Sequence, residues 1–225
     1  MLNHSICDAF RCLDLLAASR EPVGIRDMGR RLNLDSAKVT RIMQSLLSLD
    51  MVHRNEKRKY SVGIGVHRIS ALSIHHSAFY TAVIDTLEEI GKHDISIVIG
   101  VLKDRHVVYL IHTRKGVSVA RAIGNYHTVA AIDSVIGLKL LAHKSDEEII
   151  ALIGIHDFNL IAEDLALARK NQVFVKSFQD DEYRMACMIP GMQAAIALSN
   201  FTGSVKDLDK LKTFLLCAAQ KIGGV

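Results

Sequence analysis

The chain has 225 residues, 49% hydrophobic and 23% charged, which excludes a disordered polymer and allows one large domain or two small ones. Its net charge of +4 is unevenly spread: residues 1–75 hold 12 Lys or Arg against 7 Asp or Glu, whereas the remaining 16 cations face 17 anions. That asymmetry points to a phosphate-facing module joined to a neutral one. In chain order, Ser5–Ala18 predicts an amphipathic helix with Ile6, Ala9, Phe10, Leu13, Leu16 and Ala17 on one face. Asp8, Arg11 and Asp14 interrupt its apolar run, so no signal peptide is expected. Glu21-Pro22 ends it, and Gly24–Leu32 predicts a short second helix, with Ile25, Met28 and Leu32 inward and Arg26, Arg30 and Arg31 outward. After the tight connection Asn33-Leu34, a third helix runs from Ser36 to about Leu49, capped by the Asp35 carboxylate accepting from the Lys38 N–H.

Along that third helix Val39, Ile42, Met43, Leu46 and Leu47 form the expected buried stripe. Lys38, Arg41, Ser45 and Ser48 fall on the outer side, with Thr40 and Gln44 beside them. Residues 51–54 and 59–62 alternate like two short strands, joined by the loop Asn55–Arg58. His67–Phe79 reads as a connecting helix. The expected domains are therefore 1–64, a linker helix at 65–79, and 80–225.

The second domain predicts a mixed α and β pattern. Helices are expected at Thr81–His93, Ser134–His143, Asp146–Ile153, Ala162–Asn171 and Val205 to about Lys221. Strands are expected at Ile95–Leu102, His106–Thr113, Val117–Ile123, Val173–Ser177, Arg184–Ile189 and Gln193–Ser199. Met185–Val205 is uncharged, yet Pro190, Gly191, Gln193, Asn200 and Gly203 make it strand, turn and strand rather than a membrane span. Four cysteines without a CxxC pair fit buried thiols in a reducing cytoplasm.

Three helices followed by a basic hairpin is the layout of a winged helix-turn-helix, whose third helix enters the DNA major groove while the hairpin follows a phosphate strand. Lys38 and Arg41 would project from the first turns of the inserted helix, and Arg54, Lys57, Arg58 and Lys59 would meet the backbone about one groove away. Arg26 joins these cations from the second helix. Ser36, Thr40, Gln44 and Ser45 are the side chains suited to base edges or sugar-phosphate oxygens.

These residues resemble the IclR family of bacterial transcription regulators. The likeness runs through AFRCLDLL (9–16), RDMGRRLNLDSAKVTRIMQSLLSLDMVHR (26–54) and KYSVG (59–63). It continues in VVYLIHT (107–113), SVIGLKLLA (134–142) and MIPGMQAAIALSN (188–200). The resemblance implies an α+β protein: an N-terminal winged helix-turn-helix, a linker helix, and a GAF-like effector domain with a mixed or antiparallel sheet. It further implies a cytoplasmic homodimer, or dimer of dimers, on palindromic double-stranded operators, with a small carboxylate as effector. By position, backbone N–H groups of Ala131, Ile132, Asp133 and Ser134 would face the carboxylate. Cys187, or Ala186 beside it, and Ser199 would line the other wall, and an acidic position falls on Gln179 or Asp180. Where the family has a His-Ala-Thr stretch this chain has Ile132-Asp133-Ser134, and an Asp beside an anion site repels the anion unless it turns away or is neutral.

Two readings of the neutral domain follow, an acid sensor or a ligand-free dimeriser of constitutive DNA-binding heads. An enzyme would need a nucleophile such as Cys187 or Ser199 beside a base such as His112, His127 or His143, and their spacing sets up no such pair. Metal sensing would need HxxxH or paired Cys/His spacing, which the 11 histidines do not offer. No cofactor, metal or catalytic residue is expected.

Overall fold

The computed structural model describes residues 2–90, 95–113, 122–177, 182–202 and 205–224. They form two compact units, Met1–Ser77 and Ala78–Val225.

The first unit contains helices α1 (His4–Ala18), α2 (Ile25–Leu32) and α3 (Ser36–Ser48), the hairpin β1 (Val52–Arg54) and β2 (Tyr60–Val62), and helix α4 (Ile64–His75). Cys12, Leu16, Val23, Met28, Val39, Ile42, Met43, Leu46, Val52 and Tyr60 make its core. The α2–α3 turn is built from a left-handed Asn33 (φ 52°), and the Leu34 N–H donates to the Gly29 carbonyl. A Cβ on Gly29 would lie 2.8 Å from the Leu34 carbonyl oxygen, so this close approach requires glycine. Val23 pairs with Tyr60 through two 2.8 Å backbone bonds, tying the hairpin to the α1–α2 connection.

Two expectations fail here. On α1 the buried residues are Asp8, Cys12 and Leu16, while Ile6 (56% exposed) and Phe10 (64%) face solvent. Leu47 on α3 is likewise exposed. The cause is an ion-pair network: Asp8 accepts from Arg11 and from Lys38 of α3, and Arg11 also donates to the Leu32 carbonyl. Turning Asp8 inward rotates the Ile6 and Phe10 stripe outward. The connecting helix starts earlier than predicted, at Ile64, and ends at His75, where a new helix begins at Ala78.

The second unit is an antiparallel six-stranded sheet, order β5-β4-β3-β8-β7-β6, covered by helices on both faces. Its elements are α5 (Ala78–Ile90), β3 (Ser96–Lys103), β4 (His106–His112), β5 (Ile123–Ala130), a 3₁₀ turn (Ala131–Asp133), α6 (Val135–Leu141), α7 (Asp146–Ile153), α8 (Ile155–Lys170), β6 (Phe174–Ser177), β7 (Glu182–Met188), β8 (Ala194–Thr202) and α9 (Val205–Gly223). Ile97, Ile99, Met185, Cys187, Ile196 and Leu198 face α5 and α9. Val98, Ala186, Ala195 and Ala197 face α6, whose seven residues are all buried. Double-faced burial explains the unbroken apolar run in β3, and the small alanines let α6 lie close to the sheet.

Helix α6 is anchored by Lys139, only 4% exposed, whose ammonium donates to the Ala168 and Asn171 carbonyls at 2.7 Å each. Burial holds its pKa below the ordinary lysine range. The two carbonyls at the end of α8, together with that helix's negative end, offset the cost of the buried cation. The strand expected at Val117–Ile123 lies mostly outside the described residues, and a strand that was not expected runs over Ile123–Ala130. Helix α8 starts at Ile155 rather than Ala162.

Candidate nucleic-acid interface and ligand cavity

Helix α3 presents an outer face that carries Ser36, Arg41, Gln44 and Ser45, all exposed. Asp35 caps the helix as expected, its carboxylate accepting from the Ala37 and Lys38 N–H groups at 2.9 and 3.1 Å. The hydroxyls of Thr40 and Ser45 donate back to the Ser36 and Arg41 carbonyls, leaving their oxygens as acceptors toward the outside. Arg26 is exposed at the start of α2, whereas Arg30 and Arg31 are paired with Asp27.

Lys38 departs from its expected role. Its ammonium reaches Asp8, 2.5 Å away, so it braces α3 against α1 instead of pointing out of the helix. The Lys38 hydrogen bond is the largest reason the Asp8 pKa lies below the usual carboxylate value, with Arg11 adding to it. The sign follows directly. A carboxyl whose folded pKa is depressed stabilises the fold above its unfolded value, about 4, and that stabilisation is lost as pH falls through the lower folded value. Asp8→Asn should therefore lower the melting temperature at pH 7 and flatten the acid-side loss, measured by circular dichroism between pH 2 and 7. Equal acid profiles for parent and variant would show that the network contributes nothing.

The hairpin tip is a closed loop. The Asn55 N–H donates to the Lys59 carbonyl, its carbonyl accepts from the Arg58 N–H, and its side-chain oxygen accepts from the Lys59 N–H, each at 2.9 Å. Arg58 takes the left-handed conformation, φ 57°, that this turn needs. Lys57, Arg58 and Lys59 are consequently held outward on a fixed loop, and all three are exposed. The Arg54 guanidinium lies over the Tyr60 ring, 5.7 Å from its centroid.

In the second unit a cavity of about 280 Å³ opens between the sheet and the start of α6. It brings together Asp133, Ser134 and Ser199 of the expected effector residues. Tyr109, His112 and Arg184 also line it, over a wall that includes Val98, Ile136 and Ala197. Tyr109 and Ser134 oxygens are 3.4 Å apart, and the Tyr109 and His112 rings meet edge to face at 5.5 Å. Arg184 is held by Glu182, Nε to carboxylate, at 2.8 Å. Ser134 also caps α6, accepting from the Gly137 N–H at 3.4 Å.

Other expected effector residues lie elsewhere. The Ala131 N–H donates to the Arg105 carbonyl at 3.0 Å, so it is committed within the fold. Ile132 packs against the α6 side of the core rather than lining the cavity. Cys187 points through the sheet to the α9 side, where its thiol contacts the Leu215 carbonyl and burial pushes its pKa up to about 12. It therefore does not line the cavity that holds Ser134 and Ser199, but a separate one of about 330 Å³ beside Lys139 and His143. Asp180 lies outside the described residues. Arg184 was legible by alternation: it stands two residues before Ala186, on the same face of β7.

Among the described residues no three His, Cys, Asp or Glu side chains gather as a metal site requires, and no helix is long and apolar enough to cross a membrane.

A three-helix unit followed by a basic hairpin, in a chain that also holds a helix-covered sheet with a polar cavity, has the layout of winged helix-turn-helix proteins. Residues 9–56 match the model of the IclR helix-turn-helix domain. The N-terminal region is thus similar to an IclR helix-turn-helix domain, and the whole chain has the fold seen in solved IclR-type structures. An IclR-type regulator from Alicyclobacillus acidocaldarius superimposes with a TM-score of 0.68 at 17% identity, covering 100% of this chain and 99% of that one. A second, from a Silicibacter species, gives 0.76 at 18%, covering 98% and 95%. An IclR homologue from Microbacterium hydrocarbonoxydans, solved with 4-hydroxybenzoate, gives 0.62 at 18%, covering 98% of each chain. No curated protein matches the chain by sequence. The helix-turn-helix match points to DNA binding.

Proposed function

We propose that the chain is a cytoplasmic transcription regulator that grips operator DNA between α3 and the wing, with an affinity biased by a small organic acid in the second-unit cavity. The observation that carries the DNA reading is the outward cation set, Arg41 on α3 and Lys57, Arg58 and Lys59 on a closed loop. Arg41 reaches base edges or phosphates, Ser36, Gln44 and Ser45 flank it, and the wing supplies phosphate contacts. Arg41→Ala should weaken binding to a selected genomic operator about 10- to 100-fold, the loss of one good charged contact at 1–3 kcal/mol. Fluorescence anisotropy checks this, and unchanged affinity would remove α3 from the groove.

The acid reading is supported by the cationic Arg184 beside Ser134 and Ser199, and by the carboxylate bound to the Microbacterium homologue. An effector shifts operator affinity only by binding two arrangements of the protein unequally.

Two copies would place two reading heads on a palindromic site. The exposed Leu2 just before α1 and Ile6 and Phe10 on it, with Ile69 and Leu72 on α4, offer apolar surface for a second copy. Ile6→Glu with Phe10→Glu should shift sedimentation toward monomer at micromolar concentration; an undisturbed dimer would place the interface elsewhere.

A further inference from the structure

The cavity that we read as an acid site contains a feature at odds with a plain carboxylate ligand. Its charged lining, among the described residues, consists of Arg184 and Asp133, and Arg184 is already paired with the Glu182 carboxylate behind it. The neutral polar groups Tyr109, Ser134 and Ser199 already provide hydroxyls to a ligand oxygen, so Asp133 is not needed for that purpose. A carboxylate at the mouth of an anion site raises the energy of every simple acid that enters. It lowers the energy of a ligand whose other end is cationic.

From this we infer that the effector is a small zwitterion, an amino acid with its carboxylate on Arg184 and its ammonium on Asp133. The inference rests on the acid-sensing reading and narrows it. Arg184 suits the carboxylate because it lines the cavity and a guanidinium presents its donors in a planar fork that matches two carboxylate oxygens, with Glu182 orienting it through Nε. Asp133 suits the ammonium because it is exposed at the cavity mouth, where a charged group keeps its hydration until the ligand arrives. Its neighbour Ser134 is buried and occupied at the α6 start, so Asp133 is the residue of that turn that can meet a cation. Val98, Val135, Ile136 and Ala197 receive the short carbon chain between the two ends. A volume of about 280 Å³ sits below the usual range of small-molecule sites, roughly 300–1,000 Å³, which restricts the ligand to a compact one.

The test is a matched panel against the full-length protein by thermal shift and titration calorimetry. It contains α- and ω-amino acids of two to six carbons, the carboxylic acid lacking each amino group, and the amide of each. At least one amino acid should bind ten-fold or more tighter than its desamino acid and its amide. Asp133→Asn should bring amino and desamino acids within about two-fold of each other, and Arg184→Gln should abolish binding of both. Unliganded melting curves and near-ultraviolet circular dichroism confirm that the variants are folded. A desamino acid that binds the parent as well as its amino partner overturns the zwitterion and leaves acid sensing intact. A preference that survives Asp133→Asn also overturns it. If no acid of either kind binds, the sensing reading falls with it.

Discussion

Replacing Lys57, Arg58 and Lys59 together by alanine is expected to weaken binding to operator and random DNA alike by about two orders of magnitude per bound copy near 0.15 M salt. Each cation that neutralises a phosphate releases condensed counterion, so log K falls with log salt at a slope near −0.9 per contact. Losing three contacts in each bound copy should flatten that slope by about 2.7 per copy, the more diagnostic number. The loop itself should survive, since its closure uses Asn55 and backbone groups rather than the three cations. Arg58 adopts φ 57°, which alanine tolerates poorly, so Arg58→Gly serves as a control that removes the charge without strain. Anisotropy titrations from 0.05 to 0.3 M salt separate the two outcomes. An unchanged slope would mean that the wing cations are solvated and touch no phosphate.

Gly137→Val should have the largest effect on stability. A Cβ at this position would lie 2.1 Å from the Ala131 carbonyl oxygen and 2.6 Å from the Ala131 Cα, both backbone atoms. Neither can rotate away as a side chain would. The 3₁₀ turn carrying Ile132 and Asp133 must then move off α6, and Ser134, which caps that helix through the Gly137 N–H, moves with it. Overpacking of this kind costs roughly 1–3 kcal/mol, and more where backbone is the obstacle. About 3 kcal/mol or more is expected here. For a unit of this size that is a fall of about 10 °C or more in the second unit's transition. Differential scanning calorimetry should show the change there, with the helix-turn-helix unit spared. Gly29→Val should do the converse. Parent-like melting of Gly137→Val would contradict the packing of α6 against the turn.

Where periodicity and capping act locally, the chain was legible. Helices α2 and α3 follow the 3.6-residue stripe, Asp35 caps as its position demands, and α7 starts at the Ser145–Glu148 capping box. Failures occur where distant groups decide. Helix α1 has more apolar residues than its core can take, and the Asp8 network settles which of them face out. The start of α8 holds His156, Asp157 and Asn159, poor helix formers, and is supported by Gly154 at φ 89° and an Arg105–Asp157 ion pair at 2.9 Å.

The cavity is the clearest case. Strict alternation would send Tyr109 and His112 to opposite faces of β4. The register instead slips between Tyr109 and Ile111, where Leu110 is an extra residue, and this places both rings on the cavity side. A similar slip on β8 lies next to Ser199. Bulges of this sort leave no mark in one sequence, so two of the cavity's polar groups could not be read from period two. The Lys38–Asp8 pair was hidden for a related reason, since a lysine near the start of a helix looks the same in sequence whether it faces phosphate or a carboxylate.

The central claim is that α3 and the wing form one DNA-gripping surface. Its most direct test is genome-wide capture of the full-length protein in its own cells, with the combined Arg41, Lys57, Arg58 and Lys59 to alanine variant in parallel. Discrete enriched sites carrying an inverted repeat, absent with the variant, are the predicted result. Equal enrichment by both proteins, or no enrichment by the parent, would contradict it.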